Sequence, residues 1–118
     1  PASGAQIDIK VGATNDGTLV AVKAVAIMDA GCYRGAPLSL AAPALGGWYT
    51  VPNVDVVGYE VLTNRPGTGA YRAPGAPTAA FALESLLDEL ASKLGLDPID
   101  MRLRNAVAPG TGGCVQIR

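Results

Sequence analysis

The amino-acid sequence predicts one α+β domain over residues 1–118, with two layers: a mainly antiparallel sheet and an amphipathic helix packed on one face of it. Two patterns carry this prediction. Residues 6–29 have the pattern of an N-terminal β-hairpin, and residues 78–94 repeat apolar side chains with the period of an α-helix. A parallel βαβ arrangement is the alternative. It fits less well, because no segment of helical length separates the first two strands.

The hairpin prediction rests on two strand-like runs and the turn between them. Residues 6–11 alternate polar and apolar side chains, and residues 18–29 are rich in Val, Ala and Ile. Between them lies Thr14-Asn15-Asp16-Gly17, and Asn, Asp and Gly are the residues that tight hairpin turns favour. The second run is apolar on both faces, so we expect it to be the more buried strand.

The middle of the chain is apolar but interrupted by helix-breaking residues. The uncharged run 35–54 approaches the length of a membrane span, yet its prolines and the Gly46-Gly47 pair would break a lipid-facing helix. We therefore expect a buried segment and no membrane span. Residues 37–45 could form a short helix interrupted at Pro43, and the alternation over 54–62 predicts a third strand.

A loop over residues 63–77 connects this third strand to the long helix. It contains three prolines and three glycines, which fix the backbone at some positions and free it at others. Such a backbone suits a segment whose amides must meet a bound group, although a plain connection between two elements would use the same residues.

Two helices are predicted after the loop, over 78–94 and 98–105. Gly95 suits the end of the first helix, and Asp97 followed by Pro98 suits the start of the second. The carboxylates Glu84, Asp88 and Glu89 could suggest acid/base chemistry, but a solvated helix face is the favoured interpretation. The apolar stripe of the first helix consists of Ala79, Ala82, Leu83, Leu86, Leu87, Leu90, Ala91 and Leu94.

Composition excludes several classes of function. The sequence has no histidine, which removes His-based nucleophile systems and His-ligated metals. A net charge of -1 without a basic run argues against nucleic-acid binding. The two cysteines, Cys32 and Cys114, indicate reduced cytoplasmic thiols and neither a disulfide framework nor a zinc cluster. Because the chain opens at Pro1 and strand-like alternation begins again at 114–118, we expect a piece of a longer protein.

An ordered series of motifs resembles the large, molybdenum-cofactor-binding subunit of the xanthine dehydrogenase, aldehyde oxidase and carbon monoxide dehydrogenase family. The resemblance covers roughly residues 7–105. Its pieces are Asp16-Gly17-Thr18, Asp29-Ala30-Gly31-Cys32-Tyr33, Tyr49-Thr50-Val51-Pro52-Asn53-Val54, Thr63-Asn64, Gly69-Ala70-Tyr71-Arg72-Ala73-Pro74-Gly75-Ala76-Pro77, Ala80-Phe81-Ala82-Leu83-Glu84, Asp88-Glu89-Leu90-Ala91, Leu94-Gly95-Leu96-Asp97-Pro98 and Met101-Arg102-Leu103-Arg104-Asn105.

The resemblance implies a fragment of an oxidoreductase that hydroxylates carbon at a molybdenum centre held by molybdopterin. By this resemblance Arg72, Ala70, Tyr71 and Ala73 are cofactor-binding residues, and Pro74 occupies a substrate-binding position. The implied partners are the remainder of the molybdenum subunit and iron-sulfur and flavin subunits or domains. No catalytic residue or metal ligand is assigned within this chain, and we expect no cofactor to stay bound to the fragment alone.

Departures from the family pattern narrow the implied chemistry. Ala73 stands where carbon monoxide dehydrogenases have their copper-binding cysteine, so copper is not expected. Pro74 replaces the phenylalanine of purine hydroxylases, and Leu40 aligns with their arginine, which disfavours a purine substrate. Thr78 replaces a common glutamine and is consistent with a different N-cap for the helix.

Two further classes of function stay open at this point. The chain could be a stand-alone ligand-binding or protein-binding module that retained the fold, or a structural fragment with no independent activity. Arg72 likewise has an alternative role, in which it pairs with a carboxylate such as Glu84 and pins the loop.

Overall fold

The computed structural model describes residues 1–108, so Cys114 and the alternation over 114–118 lie outside the described residues. Three strands and three helices follow one another along this part of the chain. They are β1 (Ala5–Ala13), β2 (Leu19–Gly31), α1 (Leu38–Ala44), β3 (Asn53–Leu62), α2 (Ala76–Leu94) and α3 (Pro98–Asn105).

The strands form one sheet in the order β1-β2-β3, and the predicted α+β class with its N-terminal hairpin is confirmed. β1 pairs with β2 in the antiparallel direction, whereas β3 pairs with β2 in the parallel direction. The sheet is therefore mixed, and the expected antiparallel arrangement describes its first strand pair. β3 is parallel because α1 carries the chain back across the sheet, which makes β2-α1-β3 a βαβ crossover after the hairpin.

The hairpin turn forms where the sequence predicts it. Gly17 adopts a φ of 86°, which glycine accepts without a steric penalty. The Thr14 N–H donates to the Thr18 carbonyl at 2.9 Å, and the Asp16 carboxylate accepts from the Thr18 N–H at 3.2 Å. These bonds use the backbone and side-chain groups of the turn itself, so the turn is specified locally.

All three helices lie on the same side of the sheet, against the buried face of β2. That face is lined by small side chains, among them Ala24, Ala26 and Ala30, each at most 1% exposed. Short alanine side chains let α1 and α2 approach the sheet closely. A second buried cluster joins Leu19 of β2 to Leu83 and Leu87 of α2 and Met101 of α3.

Both ends of α2 are set by glycine. The helix begins at Ala76 after Gly75, which has a φ of 75° and provides no side-chain cap, so an N-cap role for Thr78 is wrong. Pro77 fits the first turn, where its missing N–H leaves no helical bond unmade. Gly95 ends the helix with a φ of 69°, as predicted.

α3 begins at the predicted cap and is tied to the distant hairpin by Asn105. The Asp97 carboxylate accepts from the Ile99 and Asp100 N–H groups. Asn105 is buried; its amide nitrogen donates to the carbonyls of Gly17 and Met101, and its amide oxygen accepts from the Leu19 N–H at 2.8 Å. This side chain thus holds the last helix against the start of β2.

A membrane-spanning helix is not found among residues 1–108.

The predicted apolar stripe of α2 is buried most deeply at Ala79, Leu83, Leu87 and Ala91, and this generates a stability prediction. Leu87→Ala should lower the free energy of unfolding by about 2–5 kcal/mol, because apolar contacts are lost and a cavity remains. Urea unfolding measures this change. Leu103→Ala is the matched control, because Leu103 is 70% exposed. Equal urea midpoints for the two variants would show that the buried helix face is wrongly assigned.

Candidate functional site

The loop after β3 returns across the end of β2 and is attached there by backbone hydrogen bonds. The Thr63 N–H donates to the Gly31 carbonyl at 2.9 Å, and the Thr68 N–H donates to the Ala30 carbonyl at 3.0 Å. Thr68 is buried, and its hydroxyl also donates to Ala30. We call residues 63–68 the loop stem and residues 69–74 the loop tip.

The stem can lie this close to β2 because Gly31 lacks a side chain. A Cβ at Gly31 would overlap the carbonyl of Pro66, and Gly31 also has a φ of 72° that other residues rarely adopt. A Cβ at Gly67 would overlap the ring of Tyr33. Tyr33 is exposed and its ring can move aside, so glycine is a packing requirement at Gly31 and not at Gly67.

Asp29, near the end of β2, anchors the stem through its carboxylate. One carboxylate oxygen accepts from the Thr63 hydroxyl at 2.6 Å and from the Gly31 N–H at 2.8 Å, and the other lies 3.4 Å from the Arg65 guanidinium. The hydrogen bond from Thr63, followed by that from Gly31 and the charge of Arg65, lowers the pKa of Asp29. Sequence reasoning quoted Asp29 as part of a motif without giving it this role.

The loop tip contains the four predicted cofactor-binding residues, and all four are exposed: Ala70, Tyr71, Arg72 and Ala73. Within residues 1–108 none of their backbone N–H groups donates a hydrogen bond to another group. Gly69 lies in open space, where an added Cβ would meet no atom within 4 Å. Within the described part of the chain the tip therefore has four consecutive backbone donors without a partner, an arrangement typical of anion-binding and acceptor-binding loops.

Ala73 has a φ of 57°, in the left-handed region, and is the only described residue other than glycine with a positive φ. For an L-residue this conformation costs roughly 1–2 kcal/mol. Ala73 is followed by Pro74, whose ring fixes its own φ, and by Gly75, which is also left-handed. The tip therefore has a defined, locally strained shape, and such strain is concentrated at functional sites.

The predicted substrate position lies where two helices begin. Pro74 is half-buried, and an added Cβ at Gly75 would come within 2.7 Å of the Pro37 carbonyl and 3.0 Å of the Ala41 side chain. The starts of α1 and α2 thus meet beside the tip. Leu40, which the resemblance pairs with the arginine of purine hydroxylases, lies on α1 and is 50% exposed.

The alternative role of Arg72, pairing with Glu84, is wrong. Within residues 1–108 the Arg72 side chain forms no ion pair or hydrogen bond. Glu84 is instead bound by Arg102, whose Nε lies 2.7 Å from one carboxylate oxygen, and by the Tyr49 hydroxyl, which donates to the other at 2.8 Å. Arg102 also contacts Asp88 at 2.8 Å.

This cluster joins α2 to α3 and explains two of the three carboxylates that could have suggested acid/base chemistry, while the third, Glu89, is exposed. Burial, with the hydrogen bond to Glu84, raises the pKa of Tyr49 to about 12. The neighbouring carboxylates raise the pKa of Arg102, whose partial burial acts in the opposite direction. Glu84 and Asp88 thus serve helix packing. Elsewhere in the described part of the chain, acidic and cysteine side chains form no group that could hold a metal ion.

The family model for the molybdopterin cofactor-binding domain matches residues 2–106. The aldehyde oxidoreductase of Megalodesulfovibrio gigas is 41% identical over 108 residues, which is 89% of this chain and 12% of that protein. The nicotinate dehydrogenase large molybdopterin subunit of Eubacterium barkeri is 43% identical over 100 residues, 82% of this chain and 24% of that subunit. The chain therefore spans a quarter or less of these relatives.

Solved structures show the same similarity in three dimensions. The aldehyde oxidoreductase from Desulfovibrio gigas superposes with a TM-score of 0.86 at 38% identity, over 98% of this chain and 13% of that one. Quinoline 2-oxidoreductase from Pseudomonas putida 86 superposes with a TM-score of 0.82 at 34% identity, over 92% of this chain and 14% of that one.

The contact between Gly31 and the stem generates a stability prediction. Gly31→Ala should lower the free energy of unfolding by at least about 2 kcal/mol, because the new Cβ adds both left-handed strain and overlap with Pro66. Gly69→Ala, which enters open space, is the matched control and should cost less than about 1 kcal/mol. Both values come from urea unfolding, and equal losses would contradict the packing role of Gly31.

The lowered pKa of Asp29 predicts a pH dependence of stability. A carboxyl whose folded-state pKa lies below its unfolded value stabilises the fold above the unfolded pKa and loses that contribution as pH falls through the folded pKa. Asp29→Asn should therefore be less stable than wild type at pH 7, and the difference should shrink on acidification below about pH 4. Urea unfolding at a series of pH values tests this, with Asp8→Asn as the surface control. A difference that grows on acidification would contradict it.

Proposed function

The chain belongs to the molybdopterin cofactor-binding domain family, and we propose that its loop tip forms one wall of the cofactor pocket in a molybdenum hydroxylase. The enzyme would be an oxidoreductase of the xanthine dehydrogenase and aldehyde oxidase type. The observation that carries the proposal is that the backbone N–H groups of residues 70–73 have no partner within residues 1–108, on a tip whose stem is fixed to the sheet.

The chemistry of the tip fits the cofactor. When bound, molybdopterin supplies a molybdenum centre that hydroxylates carbon with oxygen derived from water. The cofactor holds its own metal, so the absence of histidine from this chain is compatible with the proposal. The polar groups around that metal are hydrogen-bond acceptors, and the tip offers donors.

Each residue of the tip has a proposed task. The N–H groups of Ala70, Tyr71, Arg72 and Ala73 donate to the acceptor atoms of the cofactor. The Arg72 guanidinium, which has no partner among residues 1–108, meets an anionic group. The methyl side chains of Ala70 and Ala73 allow the backbone to come close. The left-handed conformation of Ala73 and the ring of Pro74 define the backbone where the tip enters α2, so the tip has a set shape before the cofactor arrives, which is the preorganisation that electrostatic catalysis requires.

The residues beside the tip indicate which class of substrate the site would accept. Pro74 and Leu40 provide neither an aromatic ring to stack on a purine nor a cation to meet one, so we propose that the substrate is not a purine. Ala73 has no sulfur, so we propose that the site uses molybdenum without copper.

We propose that catalysis requires polypeptide beyond this chain. The chain spans 12% of the aldehyde oxidoreductase and 24% of the nicotinate dehydrogenase subunit, and one wall of a pocket gives little positioning of substrate. The proposed partners are the rest of the large subunit and the iron-sulfur and flavin components that receive the electrons, in the cytoplasm. The isolated chain should be inactive and should not retain the cofactor.

Arg72→Ala tests the proposed task of the tip. In the isolated chain it should change the free energy of unfolding by less than about 1 kcal/mol, because Arg72 is exposed and unpartnered within residues 1–108. In the complete large subunit the same change should reduce molybdenum content or turnover, measured by elemental analysis and steady-state kinetics.

Arg104→Ala is the control for this experiment, because Arg104 forms an exposed ion pair with Asp16 on the hairpin turn. It should leave molybdenum content and turnover unchanged. A loss of several kcal/mol for Arg72→Ala in the isolated chain, with full activity in the complete subunit, would give Arg72 a structural role and refute the proposal.

A further inference from the structure

We propose that the free edge of β3 receives an additional β-strand from the part of the large subunit that lies outside this chain. This inference rests on the proposed function in one respect, namely that the chain is a piece of such a subunit. It concerns a different surface from the loop tip. The added strand would extend the sheet beyond the order β1-β2-β3.

The edge of β3 presents unused backbone hydrogen-bonding groups. β3 pairs with β2 along one side from Asn53 to Leu62. Within residues 1–108 no hydrogen bond reaches the N–H and C=O groups on its other side. Ten residues of unpaired edge form a template for another strand.

β3 lacks the features by which proteins protect an edge strand. It contains no proline, lysine or arginine. Its two acidic side chains are committed elsewhere: Asp55 pairs with Lys23 at 3.0 Å, and Glu60 accepts from the N–H groups of Gly35 and Ala36. Neither charge is therefore free to repel an incoming strand.

The other edge of the sheet differs in this respect. On the face away from the helices, β1 carries Gln6, Asp8 and Lys10, which are all exposed. Polar and charged side chains at these alternate positions disfavour the docking of an apolar strand. The comparison between the two edges therefore selects β3.

The side chains on the outer face of β3 indicate which kind of strand would bind. Val57, Tyr59 and Val61 occupy alternate positions, and Tyr59 and Val61 are 55% and 41% exposed. Together with Val25 and Ile27 of β2 they form a continuous apolar area. A strand with apolar or aromatic side chains at alternate positions would cover this area while its backbone completed the ladder.

The source of the strand is argued from the extent of the relatives. This chain spans 12% of the Megalodesulfovibrio gigas aldehyde oxidoreductase, so most of that polypeptide lies outside the matched region. Because a strand in the same polypeptide is held at high effective concentration, it would occupy the edge ahead of a second copy of this chain.

The test measures binding of overlapping 15-residue synthetic peptides that tile the Megalodesulfovibrio gigas aldehyde oxidoreductase outside the matched region. Binding to the 118-residue chain is followed by fluorescence anisotropy, and amide hydrogen exchange locates the bound peptide. We expect at least one peptide with alternating apolar side chains to bind and to slow exchange in residues 53–62. Absence of any binding peptide, or protection of β1 in place of β3, would overturn the proposal.

Two variants and a matched control test whether the peptide binds at the edge of β3. Tyr59→Lys and Val61→Lys place charge at exposed positions of β3 and should weaken peptide binding at least tenfold. Gln6→Lys is the control, because Gln6, Ile27 and Tyr59 lie in one row across the sheet, with Gln6 at the opposite edge. It should bind as wild type does. Equal affinity in all variants would overturn the proposal, and circular dichroism checks that each variant is folded.

Two further outcomes separate this proposal from its competitors. Concentration-dependent dimers that Tyr59→Lys abolishes, without peptide binding, would assign the edge to a second copy and overturn the proposal. Arg72→Ala should bind the peptide with unchanged affinity, because the tip is not part of this surface. A failure of Arg72→Ala to affect molybdenum retention would refute the cofactor role of the tip and leave the edge result intact.

Discussion

The return of the chain across the end of β2 is the contact on which the candidate site depends. Pro66 can pass over Gly31 because that position has no Cβ and accepts a φ of 72°. The Thr63 and Thr68 N–H groups then donate to carbonyls at the end of β2. Since β2 is the central strand of the sheet, the stem is attached to the most deeply buried part of the fold.

This attachment divides the loop into a stem that is bonded to β2 and a tip that is not. In the stem, the Thr63 and Thr68 N–H groups donate to β2, and the Asp29 carboxylate accepts from the Thr63 hydroxyl and the Gly31 N–H. In the tip, residues 70–73 keep their donors free within residues 1–108. A binding loop requires both a stem and a tip. Free N–H donors can be directed at a bound group only when the backbone that carries them is held in place. The strain at Ala73 is tolerated for the same reason: the attached stem and α2 determine the positions of both ends of the tip.

Much of the fold could be predicted from sequence where the signal is local. The hairpin turn, the period of α2 and the Asp97 cap each depend on residues within a few positions of one another. The direction of β3 was missed because α1 has seven residues, includes Pro43 and gives a weak helical pattern. The start of α2 was misplaced because Gly75 begins the helix by its conformation and provides no capping side chain.

The attachments of the site could not be predicted from sequence, because they join residues far apart in the chain. Thr63 and Asp29 are 34 positions apart, and Asn105 meets Leu19 across 86 positions. The sequence pattern places Glu84 on a solvated helix face, whereas in the fold it accepts a hydrogen bond from Arg102 of the next helix. Motif resemblance singled out the tip residues, whose cofactor role stays a prediction, but it gave no reason for Gly31, whose role against Pro66 is steric and non-local.

The loop tip lies outside the buried clusters, so substitutions in the tip and in the stem have different effects on stability. The two buried clusters are made by β2, β3 and the helices, and none of the tip residues belongs to either. Substitutions at Arg72 or Ala73 therefore alter what the loop presents without removing core contacts. The stem has less freedom, because a side chain at Gly31 or loss of Asp29 disturbs β2 itself. A fold arranged in this way can vary its tip, and with it the chemistry of the proposed cofactor pocket, while the stem that positions the tip stays fixed.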